Sequence, residues 1–270
     1  MSELKITGAT RIIGLIGNPV AQARSPILIN QALHDRHLLG LSLFLPFSVS
    51  PAQLGSFVQG LRGLENFDGA LVTMPFKQTI LPLLDRISDA AQIVGAVNAI
   101  RRHADGTLEG DVLDGVGFVA GLNSAGYDLK DKTCLVYGSG GAASAIVCAL
   151  AEQGVALIDI QNRTPQRAAD LVTKVSAHWP FTQVRPEQSP TQAYDFVINA
   201  TSLGMAEDDP LPIPVDVIER AQVVADIVVT REMTPLLIQA KDQGKAIHPG
   251  LPMLEGQLAL FLDFVGITAE

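Results

Sequence analysis

A glycine-rich turn between an apolar strand pattern and a helix pattern of small residues is the strongest chemical signal in the chain. Gly138 permits a tight turn, and Gly140 lets the backbone approach a pyrophosphate. The helix that follows supplies free N–H groups and the positive end of its dipole, which also favour a phosphate. The pattern predicts a dinucleotide site, with an ordinary tight turn as the alternative. The predicted contacts are Gly138, Ser139, Gly140, Gly141 and Ala142.

The end of the next strand pattern indicates which dinucleotide binds. An enzyme that prefers NAD carries a carboxylate there, which accepts a hydrogen bond from the ribose 2′-OH. This chain has Asn162, Arg163 and Thr164 instead, with Arg167 one helical turn further on. A guanidinium binds a 2′-phosphate that a carboxylate would repel, so NADP is the predicted cofactor. The alternative is a plain helix cap at Thr164 followed by solvated charges.

Two other groups of residues have types that bind small ligands. Ser25-Pro26 is typical of an N-cap and first helical position, and its hydroxyl and free N–H groups suit an anion. A cap without a ligand fits that pattern equally well. His34 and His37 lie three residues apart on a helix pattern, but no third ligand accompanies them. They are predicted to be surface histidines, and no metal site is predicted.

The composition favours a globular protein whose partner is a small molecule. Of the 270 residues, 47% are apolar and 17% are charged, against a usual charged share of about 25%, so the chain can bury a large core. A net charge of −9 offers no electrostatic footprint for nucleic acid or for an anionic membrane. Two cysteines are too few for a disulfide framework, and the apolar runs are broken by Pro and Gly. We expect a cytoplasmic protein that is a monomer or a homodimer.

Strand patterns alternate with helix patterns along the chain, which predicts an α/β fold with parallel sheets and crossover helices. The second half is predicted to begin near Gly115. Predicted strands lie at 11–17, 41–49, 69–73, 133–137, 155–161, 196–200 and 223–229. Predicted helices lie at 26–39, after Pro51, from about Pro75, at 142–153, at 165–178, from Thr234 and at 254–265, and a hairpin is predicted at 98–111.

Motifs in a fixed order resemble those of the shikimate dehydrogenase family, nearly from end to end. They are Gly17-Asn-Pro-Val-Ala-Gln-Ala-Arg-Ser25-Pro, Val72-Thr73-Met-Pro-Phe-Lys77, Gly95-Ala-Val-Asn98, Gly110-Asp-Val-Leu-Asp114-Gly, the glycine turn, Asn162-Arg163-Thr164, Asn199-Ala-Thr-Ser-Leu-Gly-Met205 and Gly250-Leu-Pro-Met with Gln257. The resemblance implies an N-terminal α/β substrate domain, 1–114 plus 250–270, and a Rossmann-type NADP-binding domain, 115–249.

The resemblance also implies roles for single residues. Lys77 and Asp114 match the family's catalytic pair, although Lys77 alone would pass for a surface lysine at a helix start and Asp114 for an N-cap. A lysine in a partly dry site can lose its proton near neutral pH and then serve as a base. The implied substrate contacts are Ser25, Thr73, Asn98 and Gln257, and Thr201 and Gly250 join the cofactor contacts.

Several motif positions depart from the family pattern, and each departure replaces a polar residue with an apolar one. The first serine of the substrate loop is Ala23, and the substrate-contacting tyrosine is Val229. An asparagine is replaced by Leu71, and an Asn-Thr pair by Val112-Leu113. These changes predict a related substrate that is less polar than shikimate.

The sequence thus predicts an NADP-dependent oxidoreductase that reversibly moves hydride between NADP(H) and a hydroxy or keto ring carboxylic acid or a related compound, and that acts poorly on shikimate. A true 3-dehydroshikimate reductase is the first alternative, with Ser25, Thr73 and backbone groups holding the substrate carboxylate. A binding protein without turnover is the second. Retention of both Lys77 and Asp114 disfavours it, because a binder has no need of that pair.

Overall fold

A computed structural model describes residues 5–267 and divides the chain into two compact units. The first unit consists of the described residues of Met1–Leu113 and Leu258–Glu270, and the second is Asp114–Gln257. This division places Asp114 and residues 250–257 in the second unit, whereas the predicted domain boundary placed them with the substrate domain. The reason is local packing of Gly117 and Gly121 on that C-terminal segment, described below.

The first unit contains one six-stranded mixed sheet in the order β2-β1-β3-β5-β6-β4. Its strands are β1 (Arg11–Gly17), β2 (Ser42–Ser48), β3 (Phe67–Val72), β4 (Arg86–Ile87), β5 (Ala99–Arg102) and β6 (Leu108–Asp111). Its helices are α1 (Ser25–Asp35), α2 (Leu54–Gly63) and α3 (Asp89–Val94). Strands β1, β2 and β3 are parallel, so their carboxyl ends meet at one edge. The predicted hairpin is present, with β5 and β6 antiparallel.

Two local predictions for this unit are wrong. Helix α1 begins at Ser25 itself, because Arg24 already has near-helical backbone angles and takes the cap position without a side-chain cap hydrogen bond. No helix begins at Pro75. Residues 74–80 form turns that lead into a short 3₁₀ helix, Leu81–Leu83. The carbonyl of Lys77 accepts from the N–H of Val97 at 2.8 Å, so it is used by a distant segment rather than by a helix.

The second unit contains one parallel sheet in the order β12-β11-β10-β7-β8-β9. Its strands are β7 (Thr133–Tyr137), β8 (Leu157–Gln161), β9 (Gln183–Pro186), β10 (Tyr194–Asn199), β11 (Ala221–Asp226) and β12 (Ala246–His248). Its helices are α4 (Asp114–Ser124), α5 (Gly141–Glu152), α6 (Pro165–His178), α7 (Val215–Glu219) and α8 (Pro235–Asp242), and α9 (Leu251–Phe264) begins in it. Counted within this sheet, the order is 3-2-1-4-5-6, the doubly wound arrangement whose switch point accepts dinucleotides.

Glycines on α4 allow three helices to approach one another closely. A Cβ atom at Gly115 would lie 2.0 Å from the carbonyl oxygen of Ala145 on α5. A Cβ atom at Gly117 would lie 2.7 Å from the carbonyl oxygen of Met253, and one at Gly121 would lie 3.1 Å from Pro252. Side chains at these positions cannot be accommodated without movement of backbone. The start of α9 therefore packs with α4, and this determines where Asp114 and Gln257 lie.

The predicted α/β class with a parallel Rossmann-type sheet is confirmed. The sequence patterns missed the strands β4, β9 and β12, the short helices α3 and α7, and the eleven-residue helix α4. Within residues 5–267, no helix has both the length and the apolar composition that crossing a membrane requires.

Candidate active site

The glycine turn lies between the end of β7 and the start of α5, at the carboxyl edge of the parallel sheet. Gly138 has φ of +119°, and a Cβ atom there would lie 2.8 Å from the carbonyl oxygen of Ala200, so the turn itself requires glycine. Gly140 and Gly141 differ, because a Cβ atom at either position would meet open space. Their lack of side chains leaves the first N–H groups of a twelve-residue helix uncovered.

An open cavity of about 420 Å³ adjoins this turn in the second unit. It is lined by Tyr137, Gly138, Gln161, Asn162, Arg163, Thr201, Ser202, Leu203 and Pro212. Four predicted cofactor residues, Gly138, Asn162, Arg163 and Thr201, are among them. Among residues 5–267, no carboxylate lines this cavity. The lining thus offers amide, hydroxyl and guanidinium groups to a ligand, which suits an anionic nucleotide.

The residues predicted to read the ribose phosphate lie at the end of β8 and in the first turn of α6. Thr164 occupies the N-cap position, as predicted, but its hydroxyl makes no cap hydrogen bond. Asn162 Nδ2 donates to the carbonyl oxygen of Thr164 at 2.9 Å, which holds the turn between strand and helix. The side chains of Arg163 and Arg167 are exposed. Both side chains are therefore accessible to a ligand in solution, and Arg163 also lines the cavity.

One buried atom in the turn also fits a bound nucleotide. Ser139 Oγ is buried and has no hydrogen-bond partner within the described structure. A buried hydroxyl without a partner costs free energy, which a phosphate or ribose oxygen would offset. Together with the uncovered helix start, this observation shows that the residues present fit a dinucleotide such as NADP.

A buried hydrogen-bond network supports the cavity from the ends of β10 and β11. Asp226 Oδ1 accepts from Asn199 Nδ2 at 2.9 Å, and Asp226 Oδ2 accepts from the Thr234 hydroxyl at 2.7 Å. Asn199 Oδ1 in turn accepts from the Thr201 hydroxyl at 2.7 Å. Burial raises the pKa of the Asp226 carboxyl, and hydrogen bonds from Thr234, the Val228 N–H and Asn199 oppose that shift. The network fixes the position of Thr201, and Thr201 lines the cavity.

Gly250, a predicted cofactor residue, is buried against backbone in this structure. A Cβ atom at this position would lie 2.7 Å from the carbonyl oxygens of Ile227 and Val228. That close approach explains why the position is glycine, whatever ligand lies nearby. Gly250 does not line the 420 Å³ cavity.

In the first unit, three predicted site residues come together at the carboxyl edge of β1 and β3. Thr73 donates its N–H to the carbonyl oxygen of Ile16 at 2.9 Å. Asn98 is 2% exposed, and its carbonyl oxygen accepts from the N–H of Val72 at 2.7 Å. Lys77 is held through its own carbonyl by Val97, the neighbour of Asn98. Backbone bonds therefore place Thr73, Lys77 and Asn98 in one cluster.

The side chain of Asn98 has a structural role that the sequence did not indicate. Its Oδ1 accepts from the backbone N–H of Leu113 at 2.7 Å. This bond ties the motif around Asn98 to the segment that leads into Asp114. Val112 and Leu113, two of the departures from the family pattern, are both buried in the core of this unit.

The predicted substrate loop runs from the end of β1 to Ser25. Asn18 anchors it, because its N–H donates to the Met74 carbonyl at 3.1 Å and its Nδ2 donates to the Val49 carbonyl at 3.0 Å. A Cβ atom at Gly17 would lie 2.4 Å from the Thr73 methyl group. The loop thus begins directly beside the Thr73 cluster. Ser25 and Ala23 are half-buried at its far end.

Asp114, the predicted second member of the catalytic pair, is the first residue of α4 in the second unit. Gln257 Nε2 donates to Asp114 Oδ1 at 2.7 Å. Gln257 was predicted to contact substrate, and the structure brings it to the predicted catalytic carboxylate. A donor at this distance limits the rotation of the carboxyl group.

His248 is a buried residue of the second unit. It ends β12 and is 2% exposed, with its ring edge-on to Phe118 at 5.9 Å and to Tyr127 at 6.4 Å between centroids. Burial lowers the pKa of His248. Cys134 and Cys148 are buried, and burial raises the pKa of both thiols.

Among residues 5–267, no group of three or more His, Cys, Asp and Glu side chains is arranged to hold a metal ion. His34 Nδ1 instead lies 3.4 Å from Asp35 Oδ1 on the exposed face of α1. Sequence reasoning missed Asp226, Gln161 and Ser202. The signal available for Asp226 was a carboxylate at the end of an apolar strand pattern, close to the carboxyl edge where ligands bind.

Comparisons with known proteins agree with this arrangement. The profile of the shikimate dehydrogenase substrate binding domain matches residues 15–100, and that of shikimate / quinate 5-dehydrogenase matches residues 122–242. A shikimate dehydrogenase (NADP(+)) from Rubrobacter xylanophilus is 38% identical over 259 residues, covering 94% of this chain and 90% of the relative.

Solved structures of similar proteins cover nearly the whole chain. The shikimate 5-dehydrogenase of Listeria monocytogenes, crystallised with shikimate and NAD, is 32% identical with a TM-score of 0.88, covering 100% of this chain and 96% of that one. The 5-ketofructose reductase of a Gluconobacter strain is 26% identical with a TM-score of 0.87, covering 97% and 95%. With both profiles matched in order and the relatives aligned over most of their length, the chain belongs to the shikimate dehydrogenase family.

Proposed function

We propose that this chain is an NADP-dependent oxidoreductase that moves hydride reversibly between NADP(H) and a hydroxy or keto ring carboxylic acid or a related compound. The observation that carries the proposal is the cavity beside the glycine turn, which is lined by Asn162 and Arg163 and by no carboxylate. The positive charge of Arg163 attracts the 2′-phosphate of NADP. The 2′-hydroxyl of NAD, by contrast, has no carboxylate there to accept its hydrogen bond.

In the proposed chemistry, the cofactor transfers the hydride and the protein transfers the proton. NADP(H) supplies or accepts the hydride, as nicotinamides do. In the oxidation direction, Lys77 Nζ accepts the proton of the substrate hydroxyl, and it returns that proton to the carbonyl oxygen in reduction. Asp114 offers a carboxylate that accepts a hydrogen bond from a substrate hydroxyl and so orients it. Gln257 keeps the Asp114 carboxylate in one orientation.

The remaining contacts of the substrate belong to the cluster at the edge of β1 and β3. Thr73 and Asn98 offer a hydroxyl and an amide, which bind the ring hydroxyls of a polyol-like substrate. Ser25, at the start of the eleven-residue helix α1, adds a hydroxyl and its own N–H, which suit a carboxylate.

The proposed substrate is not shikimate itself. Ala23 offers the substrate loop no hydroxyl, and Val229 is 45% exposed in the segment after β11, where it offers no phenol. A substrate group that has lost hydrogen-bond partners loses roughly 1–3 kcal/mol for each. That the family's fold also carries a reductase named for 5-ketofructose supports a different substrate for this chain.

The second candidate is a true 3-dehydroshikimate reductase, the activity of aromatic amino acid biosynthesis. Relatives that are 38% identical to this chain and carry the name shikimate dehydrogenase (NADP(+)) support it. A binding protein without turnover is the third, and the presence of both Lys77 and Asp114 opposes it.

The test is a hydride-transfer assay of the purified chain, with NADP and NAD each paired with a panel of hydroxy acids and polyols. We expect reduction of NADP with a member of the panel other than shikimate, and weak activity with shikimate. A kcat/KM for shikimate of about 10⁵ M⁻¹s⁻¹ or above would establish the second candidate instead. Tight NADP binding without turnover across the panel would favour the third.

A further inference from the structure

The Asp209 side chain closes the loop between β10 and α7 by bonding back onto the backbone of that loop. Its Oδ2 accepts from the N–H of Gly204 at 2.9 Å and from the N–H of Ala206 at 2.9 Å. Asp209 is half-buried, whereas its neighbours Glu207 and Asp208 are exposed. A carboxylate acceptor makes stronger hydrogen bonds with backbone donors than a neutral acceptor does. Asp209 therefore ties the second half of the loop to the first.

The first half of this loop forms part of the proposed cofactor cavity. Thr201, Ser202 and Leu203 all line that cavity. Gly204 follows directly and is buried. A buried N–H needs a hydrogen-bond partner, and Asp209 provides it for Gly204. The position of the chain just after Leu203 therefore depends on this carboxylate.

The second half of the loop returns to the cavity as a stiff and anchored segment. It reads Asp209-Pro210-Leu211-Pro212-Ile213-Pro214, and each proline fixes its own φ angle. The Ile213 side chain is 0% exposed, and Leu211 packs against the same apolar core cluster. Pro212 lies between these two residues and lines the cofactor cavity. This wall of the cavity is therefore fixed by the core of the second unit.

Asp209 connects the two halves of the loop. Within residues 5–267, no other hydrogen bond joins residues 200–206 to residues 207–214. The bonds of Thr201 and Leu203 lead instead to Asn199, at the end of β10. The spacing between Leu203 and Pro212, which both line the cavity, therefore depends on the carboxylate of Asp209.

We propose that Asp209 is a positioning residue of the cofactor site, and that it sets the affinity for the dinucleotide through the shape of the cavity. This inference rests on the proposed function. Asp209 does not line the cavity, so it acts through the two backbone N–H groups that it holds. Tyr137, Leu203 and Pro212 give the cavity an apolar part, which suits the planar base that NADP and NAD share. Loss of Asp209 therefore weakens the binding of both nucleotides by the same factor.

The effect of Asp209 differs from the effect expected of Arg163. The guanidinium of Arg163 binds the 2′-phosphate, which NADP has and NAD lacks. Removal of Arg163 therefore changes the preference between the two cofactors, whereas removal of Asp209 changes both affinities and leaves the preference as it is. A residue that only stabilises the fold would change neither affinity, because it would lower the amount of folded protein instead.

The experiment measures the dissociation constants of NADP and NAD by titration of the purified full chain, together with steady-state kinetics. Asp209→Ala should weaken both nucleotides about tenfold, while kcat at saturating NADP stays within about twofold. Asp209→Asn keeps an oxygen acceptor in the same place, so it should restore most of both affinities. Asp208→Ala, at the exposed neighbour, is the matched control and should leave both affinities unchanged.

Amide hydrogen exchange of the free protein reports on the loop without any ligand. Exchange at Gly204 and Ala206 should become faster in Asp209→Ala and return towards the original rate in Asp209→Asn. Unchanged affinities or unchanged exchange in Asp209→Ala would overturn the inference. So would an effect on NADP alone, or an Asp209→Asn protein that binds as weakly as Asp209→Ala. Failure of the proposed function is distinguishable from these results, because the unchanged chain itself would then bind neither nucleotide, and the inference would fall with it.

Discussion

Gln257 Nε2 donates to Asp114 Oδ1 across 2.7 Å, so the residue expected to bind substrate also holds the residue expected to assist catalysis. Both lie in the second unit, on α9 and at the start of α4. Their juxtaposition depends on glycines that let these helices touch. The amide is therefore part of the proposed catalytic site as a positioning group, whatever it contacts in the substrate.

Removing this donor should lower turnover more than binding. Gln257→Met keeps the length and loses the hydrogen bond to a charged group, which contributes about 1.5–3 kcal/mol. We expect kcat to fall roughly tenfold or more, with the KM for NADP unchanged. Gln153→Met, at the exposed end of α5, is the control and should have no effect. A change confined to the KM of the substrate would mean that Gln257 acts only as a substrate ligand.

Lys77 should carry the proton transfer. Lys77→Met removes the acid–base group, so kcat should fall about 10²–10⁴-fold while the affinity for NADP hardly changes. Lys241→Met, at an exposed lysine in the last turn of α8, should leave kcat intact. Steady-state kinetics and a separate NADP titration distinguish the effects. Near-normal turnover of Lys77→Met on the best substrate would exclude the assigned role.

The arginines after β8 should set the cofactor preference. A charge-assisted contact with the 2′-phosphate contributes about 1.5–3 kcal/mol, so Arg163→Ala should weaken NADP binding tenfold or more and NAD binding little. Arg167→Ala should act in the same direction. Arg86→Ala in the first unit serves as the charge-matched control. Equal kcat/KM for NADP and NAD in the unchanged protein would contradict the predicted preference.

Two substitutions should improve activity on shikimate. Ala23→Ser with Val229→Tyr returns two donors, and two missing hydrogen bonds together correspond to about 10²–10⁴-fold in kcat/KM. We expect part of that factor to return, mainly as a lower KM. If Arg24 supplies the carboxylate contact instead, Arg24→Ala will abolish shikimate binding and the double variant will change little. Kinetics of the three proteins on shikimate separate these results.

The close contact between α4 and α9 should not tolerate a methyl group at Gly117. Gly117→Ala places a Cβ atom against the Met253 carbonyl and the Gln257 N–H, which should cost about 1–3 kcal/mol of unfolding free energy and also reduce turnover. Gly60→Ala on α2 is the matched control, since a Cβ atom there meets nothing within 4 Å. It should stabilise the protein by about 0.4–1 kcal/mol. Denaturant unfolding measures both, and a stable, active Gly117→Ala protein would show that α4 and α9 can move apart.

The local sequence determined the α/β class, the parallel Rossmann-type sheet, the glycine turn and the absence of a carboxylate at Asn162-Arg163-Thr164. These features follow from residue periodicity and from turn chemistry, which act over a few neighbouring residues. The motifs also indicated Lys77, Asp114 and Gln257, and their roles stay predictions.

Only the tertiary structure decided how those residues are held. The carbonyl of Lys77 pairs with Val97, Gln257 donates to Asp114, and Asp226 accepts from Asn199 and Thr234. The Asp226–Thr234 bond spans eight residues, and the others join segments further apart along the chain, so no local pattern records them. The short strands β4, β9 and β12 were missed for the same reason, because they form through pairing with strands that lie distant in sequence.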